Sequence, residues 1–210
     1  MRKNKSAGAC AQHERAPAIM AILWLGAAVI GLGVLGVFAQ TAGGVDAPPT
    51  EEAAALPART NTAPFRLVVA VHPKCPCTSA TIGQIERILA DAPGRLTCTV
   101  LAYQPAGAAA DWLDTKTIRT SRERLGAEVI ADADGAMAQR LGMSVSGSVV
   151  LYSPEGTAEF FGGLTSARGH EGDSSGKDAV TAIVLGKPAL YAMAPVYGCR
   201  IGTESADDRQ

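Results

Sequence analysis

No run of like charge marks this chain of 210 residues, and its formal net charge is only −1. Without a basic stripe or patch, nothing electrostatic argues for a nucleic-acid partner. No internal repeat recurs, so a chain of this length has room for one ordinary domain plus extra segments. Large apolar residues are scarce over 40–64, "QTAGGVDAPPTEEAAALPARTNTAP". Four prolines and no usable period predict a flexible, partly extended tether there, with no core of its own. A calcium loop is also missing. "DADG" at 132–135 has the opening of one, but Met143 and Ser144 stand where later acids are required, so it reads as a strand-to-helix turn.

What is present begins with an uncharged run. Ala18 to Ala39, "AIMAILWLGAAVIGLGVLGVFA", is 22 residues long, enough to span a bilayer core of about 30 Å. Arg2, Lys3, Lys5 and Arg15 precede it against the single acid Glu14. The positive-inside rule then puts residues 1–17 in the cytoplasm and everything after Gln40 outside, as a single-pass protein of the cell inner membrane with a periplasmic domain. A cleaved signal peptide ending at Val37-Phe38-Ala39 is the rival, but a signal core usually runs only about 7–15 residues. Cys10 falls on the reducing side, whereas Cys75, Cys77, Cys98 and Cys199 fall on the side where disulfides persist. Four thiols there permit three full pairings, and spacing chooses none of them.

From Phe65 the pattern is regular. "FRLVVAV" (65–71) is a buried-strand run, and "TSATIGQIERILAD" sets Ile82, Ile85, Ile88 and Leu89 on one helical face. Thr78 or Ser79 is available as its N-cap. Strands follow at 95–103 and 127–132, with a polar helix over 110–126 between them and a short helix, "GAMAQRLG", after. "SVVLYSPEGTAEFFGG" is hairpin chemistry, and 177–186 is a last helix. The order β-α-β-α-β-α-β-β-α predicts an α/β fold with a mixed sheet over 65–200, leaving 201–210 as a disordered tail.

The junction of the first strand and first helix reads "HPKCPCT" (72–78). A thiol at a helix N-terminus faces the positive end of the helix dipole and unpaired N–H groups. Lys74 adds charge and His72 adds more when protonated, and all of these favour thiolate, the reacting form. Cys77 has the helix-terminal advantage, and Cys75 is expected to be the more exposed. A disulfide between Cys75 and Cys77 closes a small ring around Pro76, and strain of that kind makes a bond labile. Two other readings stand beside a dithiol. His72, Cys75 and Cys77 offer an imidazole and two soft sulfurs to copper or zinc. Alternatively the cysteines only staple a redox-inert interaction domain.

The element order, with cysteines between first strand and first helix, resembles the thioredoxin fold over about residues 65 to 190. More narrowly, "HPKCPCT", "GGLTSARGHEGDSSG" and "APVYGC" together resemble the membrane-anchored thioredoxin-like proteins of the RedB type. The resemblance implies thiol–disulfide oxidoreductase activity with no cofactor. It also allows copper or zinc transfer, since copper-handling proteins share the fold. The departures are specific. Pro76-Cys77 keeps the proline that thioredoxins carry before their second cysteine, but Lys74 stands where the first would be. Gly147-Ser148 replaces the Pro-Thr that holds substrate peptide, which points to a narrow redox partner protein or a small-molecule oxidant.

In such a fold the strand at 157–162 runs parallel to the first. The loop "GGLTSARGHEGDSSG" after it is then expected over the cysteines, bringing Arg168 and His170 to them. His170 is a candidate proton shuttle or a fourth metal ligand beside His72, Cys75 and Cys77. The plainer reading is a solvated turn in which Asp173 or Ser174 caps the last helix. Cys98, flanked by threonines in a strand, reads as an ordinary buried cysteine. Cys199 follows the last helix at a reach that returns to the active end, as a candidate resolving cysteine or a clamp on the tail.

Overall fold

The structure is a computed structural model that describes residues 7–43 and 64–202. The expected cytoplasmic segment, tether and tail therefore lie outside the described residues over 1–6, 44–63 and 203–210. The chain divides into two compact units, Met1–Ala39 and Gln40–Gln210, each described by itself. In the first, α1 (Ala7–Gln40) contains a stretch, Pro17–Gln40, long and apolar enough to cross a membrane.

The second unit alternates strands and helices. Its elements are β1 (Phe65–Val71), α2 (Thr78–Asp91), β2 (Leu96–Gln104), α3 (Lys116–Leu125), β3 (Glu128–Ala133), α4 (Ala136–Arg140), β4 (Val149–Tyr152), β5 (Ala158–Gly162), α5 (Ser175–Val184) and β6 (Met193–Ala194). They form one six-stranded sheet in the order β3-β2-β1-β4-β5-β6. β1 pairs parallel with β2 and antiparallel with β4, and β4 pairs antiparallel with β5. β5 therefore runs in the same direction as β1, and both end at the same edge of the sheet. This is the mixed sheet, part parallel and part antiparallel, that the element order predicts.

β1 shows why the sheet is covered on both faces. Leu67, Val69 and Val71 point into a cluster with α2, α3 and α5, while Val68 and Ala70 pack with Ala138, Leu141 and Met143 around α4. Every residue from Arg66 to Val71 is buried, as a central strand between two layers requires. α2 presents Ile82, Ile85 and Ile88 to the first of these layers. The buried Asp132 settles the "DADG" turn. Its carboxylate accepts the Met137 and Ala138 amides at 2.8 and 2.9 Å, which satisfies the first turn of α4.

Two expectations shift. The helix expected over 110–126 starts only at Lys116, because the Thr115 hydroxyl accepts the Ile118 amide at 3.3 Å and caps it there. Residues before it turn to bring Trp112 Nε1 within 2.8 Å of the Tyr103 carbonyl. A two-residue strand, β6, also adds itself parallel to β5 after the last helix. It carries the chain back across the sheet edge, and residues 195–202 follow from it.

Ile85 is wholly buried at the centre of the α2 layer. Replacing it with alanine is expected to cost about 3 kcal/mol. At about 3 °C per kcal/mol the thermal midpoint should fall by roughly 9 °C, read by circular dichroism.

Candidate functional site

β1 ends at Val71, and the next six residues form two tight turns before α2. The Cys75 amide donates to the His72 carbonyl at 3.0 Å, and the Thr78 amide to the Cys75 carbonyl at 3.3 Å. Cys77 is the residue that flanks α2, already in helical backbone conformation, and its side chain makes no capping bond. Thr78 and Ser79 do not cap the helix. The Thr78 hydroxyl lies 2.8 Å from Ser146 Oγ, and Ser79 Oγ donates to the Pro76 carbonyl at 3.0 Å.

The segment before β4 holds this turn from the other side. Ser146 Oγ accepts the His72 amide at 2.8 Å. Gly147, at the position expected to differ from thioredoxins, donates its amide to the Ala70 carbonyl at 2.8 Å. Its φ is +98°, and a Cβ there would lie 2.9 Å from Thr81 Oγ1. A side chain at 147 would thus face both a left-handed backbone and the α2 surface. Ser148 is fully buried and accepts the Ala70 amide on its carbonyl at 2.9 Å.

Against the same segment runs the C-terminal strap, residues 196–201. The Ser146 amide donates to the Cys199 carbonyl at 2.8 Å, and the Ile201 amide to the Ser144 carbonyl at 2.8 Å. Val145 and Arg200 form the antiparallel bridge between them. Arg168, from the loop after β5, donates through Nη1 to the Gly198 carbonyl. A Cβ on Gly198 would sit 1.9 Å from the Ser146 carbonyl oxygen, so this close approach admits only glycine.

These bonds set Cys199 Sγ 3.1 Å from Cys75 Sγ. Cys75, Cys77, Cys98 and Cys199 are free thiols, and the separation exceeds the ~2.0 Å of a disulfide bond. When Cys75 ionises, only the Cys199 thiol can donate across this contact. Cys75 is 3% exposed, Cys77 is half-buried and Cys199 is exposed.

The three thiols divide sharply in acidity. Burial pushes the Cys75 thiol up. Hydrogen bonds from the Cys199 side chain and backbone, the Thr78 hydroxyl and the Cys77 backbone outweigh that and hold it below the ordinary thiol value. Cys77 is raised by burial and by the neighbouring Cys75 charge, against the pull of Arg168. Cys199 is pushed up to about 12 by burial, by its hydrogen bond to Cys75 and by the charges of Cys75 and Cys77. Cys77 does stand at the helix end as expected, but Cys75 is the more buried of the two and the one whose acidity is raised. Hydrogen-bond donors converging on Cys75 decide it, and the spacing in "CPC" does not encode them.

Other candidates fall elsewhere. The His72 ring stacks on Tyr103 at 5.4 Å between centroids and meets Trp112 edge-on at 6.0 Å, with Nδ1 accepting the Lys74 amide. Lys74 Nζ lies 4.1 Å over the Trp112 ring, a cation–π contact. Pro76 is exposed between the two cysteines. Arg168 does reach the thiols, facing Cys77 and Cys199. His170 is exposed, with its ring against Gly172, and Glu171 of the same loop pairs with Arg87 on α2. Ser174 caps α5, accepting the Lys177 amide at 3.2 Å. Among the described residues no group of three or more His, Cys, Asp or Glu side chains is arranged to hold a metal ion. The set of His72, Cys75, Cys77 and His170 expected for copper or zinc is thus not assembled, because His72 turns to the aromatic pair and His170 to its own loop. Cys98 is buried in the core and pushed up to about 12 by that burial alone.

Sequence reasoning passed over Ser146 and offered Thr78 only as a helix cap. Gly198 lay within "APVYGC" with no role assigned to it.

No family model and no curated protein matches the chain. Solved structures do. A hypothetical protein from Sinorhizobium meliloti 1021 is similar at TM-score 0.55 and 21% identity, over 69% of this chain and 82% of that one. An uncharacterized conserved protein from Geobacillus kaustophilus is similar at TM-score 0.53 and 15% identity, over 80% and 94%. A secreted Mycobacterium tuberculosis disulfide oxidoreductase, described as homologous to E. coli DsbE, aligns at TM-score 0.42 and 18% identity, over 59% and 81%. At these identities the likeness is one of fold. The chain and the first two of these structures share a mixed α/β fold. Cys75, Cys77 and Cys199 gather at its first strand-to-helix turn.

Removing the thiol donor tests the electrostatics. In a Cys199→Ala chain the Cys75 thiolate loses its donor, so the pH midpoint of Cys75 alkylation should move upward. A midpoint that stays below the ordinary thiol value would show that the other donors suffice.

Proposed function

We propose that this chain is a membrane-anchored, extracytoplasmic thiol–disulfide oxidoreductase in which Cys75 is the attacking thiolate. The observation that carries the reading is the 3.1 Å contact between Cys75 and Cys199 at the end of β1, with the acidities of the two thiols driven apart. A low-pKa thiolate beside a second, protonated thiol is the arrangement exchange chemistry needs.

The reaction balances as two exchanges. The Cys75 thiolate attacks a partner disulfide, forming a mixed disulfide and releasing one partner sulfur as thiolate. Cys199 then gives its proton to the partner thiolate released in the first exchange and attacks Cys75 Sγ. The mixed disulfide breaks, the second partner sulfur leaves, and a Cys75–Cys199 disulfide remains. Two electrons pass to the partner, and the reverse sequence oxidises it. Cys77, with its thiol held protonated by burial and the adjacent charge, is the second resolving thiol, through the strained and labile Cys75–Cys77 pairing that the "CPC" spacing allows. The Arg168 guanidinium steadies negative charge as it moves among the sulfurs.

The apolar helix with its preceding basic residues supports an inner-membrane anchor, with the N-terminus cytoplasmic and the domain periplasmic. The likeness to RedB-type proteins rests on the three segments quoted above and belongs to this same reading. The partner is a redox protein or small oxidant near the membrane.

The test is a redox titration of the full chain in detergent, read by alkylation and peptide mass. A reversible two-electron couple at Cys75, lost in Cys75→Ser and formed without Cys98, is the expected result. A peptide pair joining residues 75 and 199 assigns Cys199 as resolver, and one joining 75 and 77 assigns Cys77. A chain lacking all three thiols that still reduced or oxidised a partner would sink the reading.

A further inference from the structure

The second unit begins at Gln40, the last residue of the apolar stretch long enough to cross a membrane. Three residues on, the Gly43 amide donates to the Val196 carbonyl at 2.8 Å. The fit is close. A Cβ on Gly43 would lie 2.7 Å from the Gly198 carbonyl oxygen and 2.8 Å from Val145 Cγ1. Three extended residues reach at most about 11 Å, so the start of the strap is held close to Gln40. Directly before Val196 runs an apolar surface. Leu190 is 89% exposed, Tyr191 55% and Met193 46%. Among the described residues of the second unit, these are the large apolar side chains left to solvent. Exposed apolar residues scattered singly need no explanation, but three within four positions do. Leu190 and Tyr191 also wall a cavity with Ala179, Ala182 and Pro188, which widens the apolar surface. The carboxylates on its rim, Asp173 and Asp178, stand 3.9 and 3.2 Å from Lys177 Nζ, and Lys187 is exposed on the same loop.

We infer that residues 188–193 dock on the lipid bilayer, with Leu190 and Met193 entering the acyl boundary and Tyr191 at the level of the headgroups. The inference rests on the anchored part of the reading above and goes beyond it by naming the surface that meets lipid. Two observations favour lipid over a protein as the occupant. The first is the short connection: with Gly43 bonded to Val196, the loop six residues before Val196 stays near the membrane end of Gln40, and lipid is the nearest surface offered to it. The second is composition. Leucine and methionine carry the apolar burial, tyrosine is a residue type of the membrane–water interface, and the Lys187 ammonium suits lipid phosphate. Lys177 offsets the rim carboxylates, which would otherwise oppose an anionic headgroup. Docking has a consequence for the thiol site. Cys199 is exposed and lies three residues past Val196, so it is presented beside the bilayer and exchanges with a partner that meets it there.

The experiment uses the full chain, fully reduced, with a single chain in each phosphatidylcholine nanodisc. Leu190→dansylalanine puts an environment-sensitive dye on the loop without disturbing the core, because that position is exposed. Spin-labelled phosphatidylcholine in the disc quenches a dye that touches lipid. Quenching and blue-shifted emission at 190 are the expected result. Glu155→dansylalanine, in the exposed β4–β5 turn at the opposite edge of the sheet, should stay unquenched. Adding Tyr191→Asp and Met193→Asp should abolish the quenching at 190. Met193→dansylalanine is the second reporter should the first variant fail to fold, with the same expectations. A folded chain in discs whose dye at 190 or 193 stays unquenched would overturn the inference and leave the patch to a protein partner. Equal quenching at 155 would overturn it as well, since every face then reaches lipid. A chain that does not enter the discs overturns the anchor, and this inference with it. No thiol chemistry is involved, so failure here is distinct from failure of the two-electron couple at Cys75.

Discussion

The buried hydroxyl of Ser146 accepts the His72 amide at 2.8 Å and lies 2.8 Å from the Thr78 hydroxyl, while its own amide holds the Cys199 carbonyl. Three pieces of chain far apart in sequence meet at this residue. They are the exit from β1, the first residue of α2 and the C-terminal strap. Each carries one of the site's elements, and each is fixed by a bond to a group that is itself out of reach of water. A buried polar group must be paired to be tolerated, so the three segments are held in register by the cost of separating them. The position of Cys75 relative to Cys199 follows from that register.

The thiol cluster obeys a simple electrostatic limit. Three sulfurs in one place cannot all ionise, since each charge disfavours the next. The donors decide which ionises. Cys75 collects the Cys199 thiol, the Thr78 hydroxyl and two backbone groups, and it becomes the acid despite its burial. Cys77 and Cys199 are left to carry protons. Hydrogen bonds that stabilise the thiolate favour the reduced pair, and a dithiol favoured in this way makes its disulfide the stronger oxidant. The Arg168 guanidinium faces both proton-bearing thiols and also anchors the strap.

Around this centre the fold supplies direction. β1 and β5 run the same way and end at one edge, so the turn into α2 and the loop carrying Arg168 emerge together. The loop does more than reach the thiols. Glu171 pairs with Arg87, and Gln84 Nε2 bonds to the Gly172 carbonyl, which lays the loop along α2. His170 sits on the outer side of that loop, exposed. His72 and Lys74 turn to Tyr103 and Trp112, forming an aromatic wall on the other flank of the turn.

Much of this was legible in the amino-acid order. The uncharged run at 18–39, the buried strand at 65–71, the amphipathic period of 78–91 and the hairpin around Ser-Pro-Glu-Gly are local patterns. Their physical cause lies within a few residues, in side-chain polarity and backbone propensity. The placement of Cys75 and Cys77 at a strand-to-helix turn was legible for the same reason. The start of α3 was not, because Thr115 caps it in preference to the apolar period, and Trp112 is drawn off to the Tyr103 carbonyl. Nor was the order of acidities among the thiols, or the placing of the Cys199 sulfur 3.1 Å from that of Cys75. Those depend on contacts between residues 75, 78, 146, 168 and 199, separated by up to 124 positions. Local sequence sets which groups each segment offers. Only the folded sheet, by ending β1 and β5 at one edge and returning the chain through β6, decided which of those groups meet.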